Sequence, residues 1–152
     1  MGSVRARNTM LSTHEIELIK INQEIIKRMA DNSAKTKTIF IAVTTAAFSF
    51  LKFDPSVHNA LALLAYLVVT FALWETDANY LRLERLFRHH HNAIIEGTVP
   101  TLDLWRMGVG RYQEESVWRI MFTNFTMWLY MIASISTVVL LARIACSLAG
   151  VA

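Results

Sequence analysis

The stretch "RLERLFRHHH" (82–91) holds the residue types most able to do chemistry. Arg85 and His90 stand in an Arg-x4-His spacing, a pattern found in some helical ribonucleases, but two common residues at one spacing arise readily by chance. His89, His90 and His91 offer three imidazoles to a metal. Consecutive helical residues point about 100° apart, however, and do not converge on one ion as an i, i+4 pair does. Cys146 is the single cysteine, so no internal disulfide is available, and it lies in the apolar tail with no thiolate-stabilising neighbour except the distant Arg143. There is no Gly-rich phosphate loop and no nucleophile–base set. The expectation is a protein that is not an enzyme and needs neither metal nor cofactor.

The arginines admit two other readings. Arg82, Arg85 and Arg88 form a ladder that would anchor a helix at an anionic leaflet, at about 1 kcal/mol per cation. The same guanidiniums, repeated by symmetry in an oligomer, would hold a phosphate-bearing ligand, with steep salt dependence if that ligand were an oligonucleotide. A second pattern lies further on. Ser116, Arg119, Thr123, Thr126, Tyr130, Ser134 and Thr137 step by 3, 4, 3, 4, 4 and 3, one polar stripe of period 3.5. It reads either as a helix–helix seam, with hydrogen bonds worth on the order of 1 kcal/mol each in lipid, or as a water-lined wall shared by several subunits. Both readings demand association of the chain with itself.

These residues need elements to position them, and the elements are greasy. Of 152 residues, 54% are hydrophobic and only 18% charged, and the mean hydropathy is +0.35, so lipid is the expected solvent for much of the chain. The opening "MGSVRARNTM" lacks the apolar core of a cleavable signal, so insertion is expected to use internal segments. Three segments qualify. Ile120–Ala142 runs 23 residues without a charge, which at 1.5 Å per residue exceeds a hydrocarbon core of about 30 Å. Val57–Trp74 gives 18 residues, and Thr38–Phe53 is shorter, carries Thr44, Thr45 and Ser49, and ends near Lys52, which can snorkel. "DPSVHN" between the last two is a tight polar turn, which makes a helical hairpin; its rival is a buried helix pair in a soluble domain.

Seven Lys and Arg precede the first span and five lie between the second and third, whereas the hairpin turn has none and only Arg143 follows the third. The positive-inside rule then places the N-terminus and the middle segment in the cytoplasm. The expected fold is an all-α membrane protein, oligomeric, with three transmembrane helices above a cytoplasmic helical layer. Its parts are a cytoplasmic amphipathic helix within 1–37, a transmembrane hairpin over 38–74, a basic cytoplasmic linker over 75–118 and a C-terminal span within 119–152.

The cytoplasmic parts are patterned too. From Thr13 to Lys35 the residues Ile16, Leu18, Ile19, Ile21, Ile25, Ile26 and Met29 recur at helical spacing and sweep about 220° of the wheel, wider than an ordinary surface stripe. Such a helix packs into a bundle or against a copy of itself, or lies on the membrane surface. The basic run needs no breaker where it leaves the second span, only a change of polarity. Glu84 can pair with Arg88 at i+4, and after "EGTVP" a short helix "TLDLWRM" is expected from Thr101.

"IIKRMADNSAKTK" (25–37), a short hairpin, and "DANYLRLERLFRHHHNAI" (77–94) together resemble a set of small bacterial multi-pass membrane proteins. The chain is similar to anti-phage defence membrane effectors of the Hailong type, which accompany a nucleotidyltransferase and act as channels gated by DNA oligomers. It also resembles the pore-forming membrane accessory of RNA-targeting CRISPR systems. His90-His91-Asn92 and Asn79 depart from that pattern. The resemblance implies a bacterial inner-membrane channel whose partners are its own copies, the bilayer, and an oligonucleotide or nucleotide signal made by a partner nucleotidyltransferase. Matched onto its two motifs, Arg28, Asn32 and Ser33, with Asp77, Tyr80, Arg82, Glu84, Arg85 and Arg88, would form a gating collar in which Asp77 and Glu84 pair with Arg28 or the ladder. A non-conducting anchor that recruits a soluble partner through the isoleucine-rich helix is the alternative.

Overall fold

The computed structural model describes residues 13–50, 55–98, 115–124 and 127–150, and their regular structure is helical throughout. In chain order the helices are α1 (Thr13–Phe50), α2 (Val57–Ile95), α3 (Val117–Thr123) and α4 (Trp128–Gly150). α1 and α2 contain 38 and 39 residues with neither Gly nor Pro inside, so each continues for about 57 Å at 1.5 Å per residue. That is nearly twice a hydrocarbon core. The charge-free run and the arginine ladder are therefore halves of one rod.

Local chemistry sets the ends of α2. Ser56, in extended conformation after Pro55, caps the start by accepting the Asn59 N–H at 3.3 Å. At the other end Gly97 adopts φ 66, the Gly97 N–H reaches the Ile94 carbonyl and the Thr98 N–H reaches the Ala93 carbonyl, both at 3.0 Å. This is a Schellman termination, and a side chain at position 97 would meet the steric penalty of the left-handed region.

α1 and α2 pack antiparallel. Ser33 and Lys37 meet Asp77, while Thr44, further along α1, meets the earlier Tyr66 at 2.9 Å. On α2 the buried residues Leu63, Tyr66, Thr70, Trp74 and Asp77 step by 3, 4, 4 and 3, a heptad-like seam. α4 joins that seam through Tyr130, and the core gathers there: Phe40, Trp74, Ala78, Ile120, Met121, Met127 and Tyr130. Thr137 lies two turns beyond Tyr130 and Thr70 two turns before Asp77, and both are fully buried.

Two helices, α2 and α4, are long and apolar enough to cross a membrane. The stretch expected as the third span is not one helix. The chain departs from helical geometry at Asn124 (φ −89, ψ 124), and the apolar helix starts at Trp128 rather than Ile120. Asparagine competes poorly for helical interiors because its amide bonds locally to backbone. Over its described residues α1 does not meet the same test. Lys35 and Lys37 interrupt it before its apolar half, and the four hydroxyls of that half each bond back to a carbonyl one turn earlier: Thr38 to Ala34, Thr44 to Phe40, Thr45 to Ile41 and Ser49 to Thr45. The amphipathic N-terminal helix and the expected first span are one continuous helix, with Ile16 and Ile21 left exposed near its start. The short helix expected from Thr101 lies outside the described residues.

Candidate functional site

Asp77 sits where α2 changes from apolar to charged, and its side chain is fully buried. A carboxylate in such a seam requires partners. α1 supplies two from adjacent turns of one face. Ser33 Oγ donates to Asp77 Oδ1 at 2.5 Å, and Lys37 Nζ lies 2.9 Å from Oδ1 and 2.7 Å from Oδ2. Lys37 also donates to Ser33 Oγ at 2.7 Å. α4 supplies the last, Tyr130, whose hydroxyl donates to Oδ2 at 3.2 Å. One carboxylate thus ties three helices together.

An aromatic wall closes the node. The Tyr130 ring lies 4.4 Å from Phe40 and 6.3 Å, nearly parallel, from Trp74, and Trp74 meets Phe122 edge-on at 5.4 Å. α3 enters the site through Phe122. Just above Asp77, Thr70 Oγ1 and Trp74 Nε1 are buried, one turn apart, without a hydrogen-bond partner among the described residues. The Ser33–Lys37 contact has the atoms of a serine–lysine dyad. Its geometry is wrong for one, because the serine proton goes to Asp77 and the ammonium donates to the serine rather than accepting from it. The arrangement suits a desolvated charge latch instead.

The residues of the expected collar divide. Ser33 and Asp77 come together in the node. Arg28, expected as a partner for Asp77, is exposed on α1, and Lys37 takes that role, two turns and more further along. Asn32 is half-buried and its carbonyl accepts the Thr36 hydroxyl. Tyr80 and Arg82 are half-buried on α2 below Asp77. Glu84 pairs with Arg88 at 2.7 Å, within the ladder. Arg85 reaches across to Glu115, just ahead of α3, at 2.5 Å.

The polar stripe divides as well. Tyr130 and Thr137 are buried, Ser134 is half-buried, and Thr137 donates back to the Ala133 carbonyl. Ser116, Arg119 and Thr123 are exposed before the break at Asn124, and Thr126 lies outside the described residues. So the stripe is not a single helical face, and its best-buried members turn into the chain's own seam. Of the three histidines, His90 is buried, His91 half-buried and His89 exposed, as consecutive helical positions require. No grouping of His, Cys, Asp and Glu among the described residues is placed to hold a metal ion.

Lys37 enters the sequence pattern only as one of the seven cations before the first expected span, so its place beside Asp77 comes from the structure. A signal was present: it is the last cation before an apolar run and stands at i+4 from Ser33, on the same helical face. Set against protein-family models, curated proteins and solved structures, the chain matches none.

Proposed function

We propose that this protein is an oligomeric channel of the bacterial inner membrane, multi-pass with its N-terminus in the cytoplasm, and an effector of anti-phage defence opened by a cytoplasmic nucleotide-type signal. One observation carries the conducting part. On α1 the exposed residues Arg28, Asp31, Lys35, Thr38, Ala42, Thr45 and Ser49 step by 3, 4, 3, 4, 3 and 4, a polar and small-residue stripe facing away from α2. Over its described residues α1 is also less apolar than α2 and α4, which expose Val68, Phe71, Ile132, Ile135 and Val139. The economical assembly puts α2 and α4 against acyl chains and α1 around a wet axis, with Ile39 and Ile41 pressing on neighbouring copies. This moves the conduit wall from α4, where the sequence pattern suggested it, to α1. The uninterrupted α2 supports the gating part, because a displacement of the basic stem is carried along one rod to the Asp77 latch. The signal, a nucleotide or oligonucleotide from a partner nucleotidyltransferase, comes from the family resemblance.

Ion flux through liposomes containing the purified protein tests the reading. In a Cys146→Ala background, a water-soluble thiol reagent is expected to block Thr45→Cys and Ser49→Cys but not Val68→Cys. Block only at position 68 would remove α1 from the axis. Arg82→Glu combined with Arg85→Glu is expected to abolish response to the signal while insertion persists. The anchor reading is favoured by Ile16 and Ile21, exposed at the stem end of α1. Liposomes without flux, together with a soluble partner lost on Ile16→Ser and Ile21→Ser, would select it.

A further inference from the structure

Below the latch, Arg82, Arg85, Leu86 and His89 on α2, with Glu115 and Ile120, line a shallow groove whose free volume, about 20 Å³, holds little more than a water molecule while Glu115 occupies it. Two arginines make its floor cationic, and among the described residues the carboxylate lining it is Glu115, whose Oε2 lies 2.5 Å from Arg85 Nη1. Both side chains are well exposed, at 39% and 45%, so the pair is accessible to solutes and weakly held. With Glu115 in place the groove is narrow, and an incoming anion takes the carboxylate's position rather than lying beside it. The planar guanidinium of Arg85 presents paired N–H donors that fit two oxygens of a phosphate as well as they fit a carboxylate.

We propose that this groove is a phosphate-binding site held closed by Glu115, an internal stand-in that a phosphate-bearing ligand displaces. Displacement has a route to the latch. Glu115 leads directly into α3, Ile120 of α3 belongs to the core that contains Tyr130, and Phe122 of α3 packs on Trp74. Removing Glu115 from Arg85 frees the leading end of α3 and so loosens the aromatic wall behind the Tyr130–Asp77 bond. The site deepens the channel reading by naming where its signal is sensed, but binding is measured without conduction.

The probe is inorganic tripolyphosphate, titrated calorimetrically into the full chain in detergent. Saturable binding that weakens as salt rises is expected. Arg85→Gln is expected to weaken it roughly 10- to 100-fold, the equivalent of one charge-assisted hydrogen bond. Glu115→Gln is expected to tighten it by up to about fivefold by removing the competitor, a change of sign that a misfolded variant does not produce. Arg143→Gln, towards the far end of α4, is expected to bind like the unaltered chain. Repeating the titration in nanodiscs of phosphatidylglycerol and of phosphatidylcholine separates the sources. Competition by the anionic lipid makes a headgroup the resident ligand, and its absence makes the ligand soluble; the site stands in both cases. No saturable binding, Arg85→Gln binding at full strength, or Glu115→Gln binding more weakly would each overturn it. Binding with silent liposomes refutes conduction and keeps the site, while flux without Arg85-dependent binding does the reverse.

Discussion

Lys37→Met and Asp77→Asn should not be equivalent, although they cut the same ion pair. The Asp77 side chain is fully buried, whereas that of Lys37 is 26% exposed. Replacing Lys37 leaves a carboxylate in the seam with only the Ser33 and Tyr130 hydroxyls as donors. Breaking a buried pair in this way costs about 3–5 kcal/mol, and the partial access of water through the vacated lysine path puts the expected value near the lower end, about 3 kcal/mol. Asp77→Asn strands an ammonium that can swing to solvent, and the amide oxygen still accepts from a hydroxyl, so about 1–2 kcal/mol is expected. The double variant carries no stranded charge. It should lie close to Asp77→Asn alone, which makes the coupling as large as the Lys37→Met loss itself, about 3 kcal/mol. Reversible unfolding in mixed micelles of increasing denaturing detergent measures all four proteins, and Trp74, stacked on Tyr130, gives a fluorescence signal at the node. Equal losses from the two single variants, or losses that add to within about 0.5 kcal/mol, would refute the latch.

Tyr130→Phe keeps the ring between Phe40 and Trp74 and removes only the 3.2 Å hydroxyl bond, so the same assay should register about 1 kcal/mol. Gly97→Ala places a Cβ on a residue with φ 66 and should cost about 1–2 kcal/mol, read as fraying of the last turn of α2 in amide hydrogen exchange with the Asp77 region unaffected. Thr44→Val removes the hydroxyl that meets Tyr66 while keeping the shape, and should cost about 1 kcal/mol without altering tripolyphosphate binding in the groove below.

The features legible in the residues alone are one-dimensional: where apolar runs begin, where they turn charged, and which residues share a helical face. The hairpin turn at Pro55, the passage of α2 from Val57 through the arginine ladder without a break, and the Glu84–Arg88 pair all follow from spacing and from the absence of Gly and Pro, because i, i+4 geometry is local. Packing between helices settled the rest. Asp77 chose Lys37, 40 residues away, over Arg28, and Tyr130, 53 residues away, completed its shell, since the rotation of each helix about its axis is set by how three surfaces fit together. The same fit turned Tyr130 and Thr137 into the seam and left the hydroxyl stripe of α1 facing out. A period of 3.5 shows that a helix has a special face; only its neighbours determine whether that face meets protein, lipid or water.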